Sequence, residues 1–538
     1  MRGFLWGGAP LAAVMLVGCA TMTGAPINAP VATENGRVSG APSAVAEGVT
    51  VFKGIPFGAP PVGDLRWRPP QPAAAWEGVR DGSEFAPVCV QPHQPDRVPN
   101  NRSVDLPDSP PISEDCLYLN VWTPADRSNE DLPVMVWIFG GAYYEGAGST
   151  PHNHGDYLAE KGAVVVTFNY RVGPLGFLAH PELTAESEHG ASGNYALQDS
   201  IAALEWVQDN IDAFGGDPDN VTIFGESAGS SMTAALVGSP EAAGLFGRAI
   251  AESGTWMGLN MAPMRSRESA EAQTVEVAAG LGHDSLADLR ALPAEVASET
   301  LPRQGMIIDG WVVPEDMSIT FAEGRQNAVD VLVGSNRDEG GLFTRFGPPM
   351  TADRWLETAE QRWGDLSEEG LAAYPSPTDD AAAANASQVF TDNMAWSMRL
   401  FAERQAELGK RAYVYHFVFE PPYEEGVNNM GVCHACEIPY VFNNLGTPRV
   451  VPDVSSPELA LASDADIRVA DITSSYWVNF AATGDPNGEG LPEWPLYSDR
   501  ETGRLLHIDV EPVVADTPNE ERMALYDALY ARQMEATP

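Results

Sequence analysis

Two short stretches hold most of the chemistry this chain could perform. Gly225-Glu226-Ser227-Ala228-Gly229 is a G-x-S-x-G pattern that follows the apolar run "VTIF" and precedes the small-residue run "AGSSMTAALV". A strand that ends in this pattern and turns at once into a helix holds a serine hydroxyl exposed at the end of a sheet. The helix N-terminus beneath it favours developing negative charge. Such a serine needs a base, and the base needs an orienting acid. The second stretch, "GVCHACEIPY" (431–440), sets His434 between Cys433 and Cys436. Its spacing alone suits a metal site, a redox dithiol, a disulfide-held loop or a catalytic base.

Four histidines follow Ser227 in the chain. His283 lies in an acidic, helix-patterned surface stretch, and His416 and His507 lie in strand-like runs. His434 alone stands in a loop-like segment, after "GVNNMGV" and before the short helical pattern "EIPYVF", and is favoured as the base. In "VLVGSNRDEGG", Asp338 and Glu339 follow an apolar strand at its C-terminal end, where open α/β sheets place their sites. Either could be the acid. The turn in "WIFGGAYYEG" offers the N–H groups of Gly140, Gly141 and Ala142 to an oxyanion, and Ala228 adds another directly after the serine.

Metal binding fails on ligand count. Cys433, His434 and Cys436 supply three ligands, whereas a structural zinc site takes four, often as two spaced pairs. A thioredoxin-like dithiol would need its own βαβ context. "HNH" (152–154) reads as a polar, solvated turn. No metal and no cofactor is expected.

These residues must be held by a frame, and the frame is legible. Apolar runs at 132–141, 162–171, 220–227, 329–336 and 411–420 alternate with helical patterns. In one of these, 194–214, Leu197, Ile201, Leu204, Val207 and Ile211 recur at helical spacing. Continuous apolar strands separated by helices predict an α/β domain, with a mostly parallel sheet covered on both faces. The Pro-rich stretch 56–111 and the helical stretch 351–410 read as excursions and caps around it.

Acidic residues number 75 against 31 Lys and Arg, a formal net charge of -44. That excludes nucleic-acid binding and electrostatic docking to anionic lipid. Anionic substrates are repelled at long range, although a local basic pocket can still hold one. Arg2 is the only charge before the apolar run Phe4 to Val17, which is shorter than the roughly 20 residues of a membrane span and reads as an export signal. Leu16-Val17-Gly18-Cys19 resembles the lipobox of bacterial lipoproteins. Residues 1–19 are therefore expected to be a signal ending at a lipidated Cys19, 20–32 a flexible tether, and 33–538 a single domain. Secretion as a soluble or periplasmic protein is the alternative. Export places Cys89, Cys116, Cys433 and Cys436 in an oxidising compartment, where two disulfides have three possible connectivities.

Longer motifs run nearly end to end: "FKGIPFGAPPVGDLRWRPP" (52–70), "SEDCLYLNVWTP" (113–124), "VMVWIFGGAYYEG" (134–146), "NYRVGPLGFL" (169–178), "GNYALQDSIAALEWVQDNIDAFGGDPDNVTIFGESAG" (193–229) and "HACEIPYVF" (434–442). Across roughly 33–530 the chain resembles the type-B carboxylesterases, the carboxylesterase/lipase family that includes cholinesterases and bacterial p-nitrobenzyl esterases. The resemblance implies an α/β-hydrolase fold and a serine carboxylic-ester hydrolase acting on small-molecule esters through an acyl-enzyme. It implies Ser227 as nucleophile, Glu339 as acid and His434 as base, with oxyanion donors at Gly141, Ala142 and Ala228. Gly140, Glu226 and Ser253 would surround that centre. It further implies an Arg66–Glu114 ion pair and a Cys89–Cys116 disulfide, which leaves Cys433 with Cys436.

Three departures stand out. Ala142 replaces the usual third glycine of the oxyanion loop, which keeps the donor but narrows the turn. Ala435 replaces the usual glycine after the histidine. The tryptophan loop of cholinesterases has no counterpart in 91–111. Amidase, lactonase or thioesterase chemistry would use the same residues, whereas an adhesion role is disfavoured because all three triad residue types are present. Tyr143, Tyr144, Trp256 and Met257 could line an acyl pocket or pack the core.

Overall fold

Apolar runs with no polar alternation become the strands of one sheet in the computed structural model. It describes residues 24, 27–92, 109–258, 264–344, 348–423, 429–446, 462–498 and 503–536. The expected export signal and Cys19 lie outside them. The strands are β1 (Ala41–Pro42), β2 (Thr50–Pro56), β3 (Tyr118–Thr123), β4 (Leu132–Ile138), β5 (Val164–Phe168), β6 (Gly216–Glu226), β7 (Arg248–Glu252), β8 (Asp330–Asn336), β9 (Ala412–Phe417), β10 (Leu505–Ile508) and β11 (Val513–Ala515). Their spatial order is β11-β10-β9-β8-β7-β6-β4-β5-β3-β2-β1. From β5 across to β10 every pairing is parallel, and antiparallel pairs close both edges. β5, "VVVTF", is buried at every residue, as a central parallel strand must be.

Helices cover the sheet. α1 (Tyr195–Asn210) buries the Leu197, Ile201, Leu204 and Val207 stripe. α2 (Ala228–Gly238) is buried over its whole length, which explains its small residues. α3 (Asp379–Glu407) packs on β8 and β9, and α4 (Asp464–Thr483) starts from a Ser463–Asp466 capping box. α5 (Glu520–Ala536) closes the chain. The stretch 351–410 is helical as expected, and its Trp355, Trp363 and Tyr374 form a small separate core with Leu525.

Register matters most for the site. Glu226 of β6 pairs with Glu252 of β7, and Glu252 pairs with Gly334 of β8. The C-terminal ends of three strands therefore lie level, and the loops that leave them meet.

Two expectations are corrected. Residues 27–32 are not tether: Ile27 is buried and donates its N–H to the Asp126 carbonyl at 3.0 Å, and Val31–Thr33 pairs with Gly36–Ser39. Two apolar residues in that stretch find core to bury against, which a Pro-containing composition hides. "HNH" is not a solvated turn either. His152 and Asn153 are buried, and His154 packs its ring between Phe85 and Trp122 while Nε2 approaches the Ser149 carbonyl at 3.1 Å.

Candidate active site

Ser227 sits at the sharp turn between β6 and α2, with φ 56° and ψ -121°. Glycine is obligatory on both sides of it. A Cβ at Gly225 would lie 2.6 Å from the Ile138 carbonyl oxygen, and one at Gly229 only 2.0 Å from the same atom. The Ser227 N–H donates to the Glu252 carbonyl at 2.9 Å, tying the turn to β7.

The loop after β4 packs against this turn. A Cβ at Gly140 would come 2.7 Å from the Glu226 carbonyl oxygen, so only glycine permits the approach. Gly141, Ala142 and Tyr143 all have positive φ, at 109°, 54° and 64°. Ala142 keeps the left-handed backbone that glycine would adopt freely, at a cost of about 1 kcal/mol. Among the described residues the N–H groups of Gly141, Ala142 and Ala228 donate to no protein acceptor. Three donors are thus left for an oxyanion.

Glu339 lies just past β8, fully buried. Its Oε1 accepts the Ser253 hydroxyl at 2.6 Å and the Asn336 N–H at 2.7 Å, and its Oε2 is 2.6 Å from His434 Nδ1. Asp338, equally open on sequence grounds, faces away: its carboxylate accepts the Val432 N–H at 2.8 Å and pairs with Arg337. His416 and His507 neighbour each other on β9 and β10, and burial drives the His416 pKa down to about 3. His283 lies in the turn that follows a helix, not within one.

One expected contact differs. Among the described residues His434 Nε2 has no hydrogen bond to Ser227; it lies 3.1 Å from Glu226 Oε1, without hydrogen-bond alignment. Glu226 is therefore a direct neighbour of the imidazole. Behind it stands a group that sequence reading left unassigned. Glu437 is buried, accepts a short hydrogen bond from the Asn336 side-chain amide and lies 3.4 Å from Ser253 Oγ. Glu252, also buried, accepts the Trp477 indole N–H at 2.7 Å. The sign for Glu437 is its place three residues after His434 in "HACE", and for Asn336 its place at the end of the strand that leads to Glu339.

Three buried carboxylates, Glu226, Glu339 and Glu437, act on the imidazole and reshape its proton affinity. Burial raises Glu226 and Glu252 well above the carboxylate range, with Glu437 adding to both. Glu437 is itself pushed up to about 7 by burial and by Glu339. Burial pulls His434 down, but Glu226, Glu339 and Glu437 outweigh it and raise the imidazole to about 9.

The loop bearing His434 has little freedom. Cys433 and Cys436 are disulfide-bonded, so neither sulfur is a thiolate ligand, and the Asn336 side chain donates to the Cys433 carbonyl at 2.9 Å. Cys89 and Cys116 form the other bond. Arg66 makes a bidentate pair with Glu114 at 2.7 and 2.6 Å and also donates to the Leu292 carbonyl at 2.7 Å.

The Carboxylesterase family matches residues 28–526. This chain belongs to that family. Among its similar proteins is the fumonisin B1 esterase of Sphingopyxis macrogoltabida, 40% identical over 472 residues covering 86% of this chain and 84% of that one. The para-nitrobenzyl esterase of Bacillus subtilis (strain 168) is 36% identical over 513 residues, covering 91% and 97%. Among solved structures, the carboxylesterase EST55 of Geobacillus stearothermophilus at pH 6.2 superposes with a TM-score of 0.78 at 34% identity, covering 92% of this chain and 99% of that one. As a member of the carboxylesterase family, the protein has the α/β-hydrolase fold and is a serine carboxylic-ester hydrolase of the Ser-His-Glu type. Among the described residues no helix is long and apolar enough to cross a membrane.

Proposed function

We propose that Ser227 is the nucleophile of this esterase, His434 its general base and Glu339 the acid that orients the imidazole. The observation that carries this is the 2.6 Å contact between His434 Nδ1 and Glu339 Oε2, directly beside the Ser227 turn. The Glu339 carboxylate keeps the Nδ1 proton in place and leaves Nε2 to act. Nε2 turns from Glu226 toward Ser227 as substrate enters; contacts of this kind commonly tighten only in the substrate complex. His434 takes the serine proton during attack on the ester carbonyl. Gly141, Ala142 and Ala228 N–H groups receive the oxyanion, and His434 then protonates the departing alcohol. Water, deprotonated by the same imidazole, releases the acid. Ser227→Ala should abolish turnover of a simple p-nitrophenyl ester while leaving the unfolding transition in place. An unchanged rate would refute the assignment.

The same proposal extends to the N-terminus. Residues 1–19 act as an export signal and Cys19 receives lipid, a reading supported by Leu16-Val17-Gly18-Cys19. Labelled palmitate should enter the expressed protein, and Cys19→Ala should move the esterase from the membrane to the soluble fraction. Equal labelling of both proteins would dismiss the anchor.

A further inference from the structure

A cleft of about 330 Å³ opens beside the oxyanion loop, with Ala142, Trp256, Met257 and Met306 on its walls. Two arginines, Arg265 and Arg303, share that lining. Carboxylates outnumber cations 75 to 31 in this chain, so a cation usually finds an acidic partner. Arg66, Arg171 and Arg290 all do, with Glu114, Asp199 and Glu186. The two cleft arginines do not among the described residues. Arg265 donates to the neutral Gln273 side chain, and Arg303 lies over the Tyr144 ring, 3.1 Å from its centroid. Glu299 and Glu145 also act electrostatically on Tyr144, and neither forms an ion pair with Arg303 or Arg265 among the described residues.

We propose that this cleft receives the acyl arm of the substrate and that Arg303 and Arg265 there select an acyl group ending in an ionised carboxylate. Position argues for the acyl arm. The leaving oxygen must face His434, whose ring neighbour is Phe343, 5.0 Å away between centroids. Neither residue lines the cleft, whereas Ala142, which holds a donor for the acyl carbonyl, does. Composition argues for the carboxylate. Apolar walls of Trp256, Met257 and Met306 suit a methylene chain, and guanidinium groups bind carboxylate with planar, charge-assisted hydrogen bonds. A surface as acidic as this one repels such a substrate at long range, so a cationic cleft is what would retain it. The preferred ester is thus a half-ester of a dicarboxylic or polycarboxylic acid.

The inference rests on Ser227 as nucleophile, and one experiment separates the two. Hydrolysis of monomethyl adipate and of methyl hexanoate, matched in chain length, is followed by acid release in wild type, Arg303→Gln, Arg265→Gln and Arg303→Lys. Wild type should turn over the adipate at least as well as the hexanoate. Each Gln variant should lose about tenfold or more in kcat/KM on the adipate, the scale of a charged hydrogen bond, and stay within twofold on the hexanoate. Arg303→Lys should recover part of the loss. Variants that slow both esters equally, or neither, would overturn the carboxylate site. Wild-type activity on the hexanoate alone would overturn it too. Full activity of Ser227→Ala on the hexanoate would strike at the nucleophile instead.

Discussion

His434 Nε2 lies 3.1 Å from Glu226 Oε1, while Nδ1 is held at 2.6 Å by Glu339. The imidazole is thus clasped by carboxylates on both nitrogens, and its basicity is set by both. Neutral imidazole accepts the serine proton, so kcat/KM climbs as pH rises through the His434 pKa. That pKa, at about 9, lies above the ordinary histidine value. Glu226→Gln removes an influence that raises it, so the climb should move to lower pH. A pH profile of kcat/KM checks this, and an unmoved limb would show that Glu226 carries no charge next to His434.

Glu339→Gln keeps the shape of the acid but donates where the carboxylate accepts. The Nδ1–H of His434 loses its acceptor, and the imidazole tautomer is no longer enforced. Turnover should fall by about 10³ to 10⁴-fold with KM little changed. Ser253→Ala removes one of two donors on Glu339 Oε1 and should cost about tenfold. Steady-state kinetics on one ester ranks the two, and the reverse order would point to Ser253 as the more direct participant.

The two disulfides should separate stability from activity. Cys89–Cys116 spans 27 positions and Cys433–Cys436 only 3. Loop-closure entropy gives about 3.5 kcal/mol for the first and about 2 kcal/mol for the second. Cys89→Ser with Cys116→Ser should therefore lower Tm more. Cys433→Ser with Cys436→Ser should lower kcat more, because His434 lies inside that loop. Chelators should change neither protein. Inhibition by a chelator, reversed by zinc, would contradict the disulfide's role.

Ala142→Gly relieves a left-handed backbone at φ 54° and removes a methyl from the wall of the acyl cleft. Esters with branched acyl groups should gain in kcat/KM relative to straight-chain ones. Stability should rise by up to about 1 kcal/mol, offset in part by the added freedom of glycine in the unfolded chain. Tm and a short acyl panel measure both.

The sheet was readable because its central strands are buried on both faces and carry apolar runs without polar alternation, as in "VVVTF" and "VLVG". The serine turn was readable for a steric reason, since no side chain fits at Gly225 or Gly229. Asp338 and Glu339 could not be told apart by sequence: neighbours on one turn point in different directions, and only the fold says which meets His434. Glu252 and Glu437 were hidden because a buried glutamate has the same letter as a solvated one. Ile27 was hidden because the core it joins and the Asp126 carbonyl that its N–H meets come from distant parts of the chain, the latter about a hundred positions away.

The carboxylates behind His434 also change what the molecule exchanges with its solvent when it folds. In the unfolded chain Glu226, Glu252 and Glu437 titrate near the ordinary value of about 4.3. In the folded chain all three titrate higher, Glu437 at about 7. Between those limits folding takes up protons from solution, and unfolding gives them back. The stability linked to these groups is complete below the ordinary glutamate range and is lost as pH rises through their folded values. The apparent calorimetric enthalpy of unfolding at neutral pH should accordingly depend on the ionisation heat of the buffer.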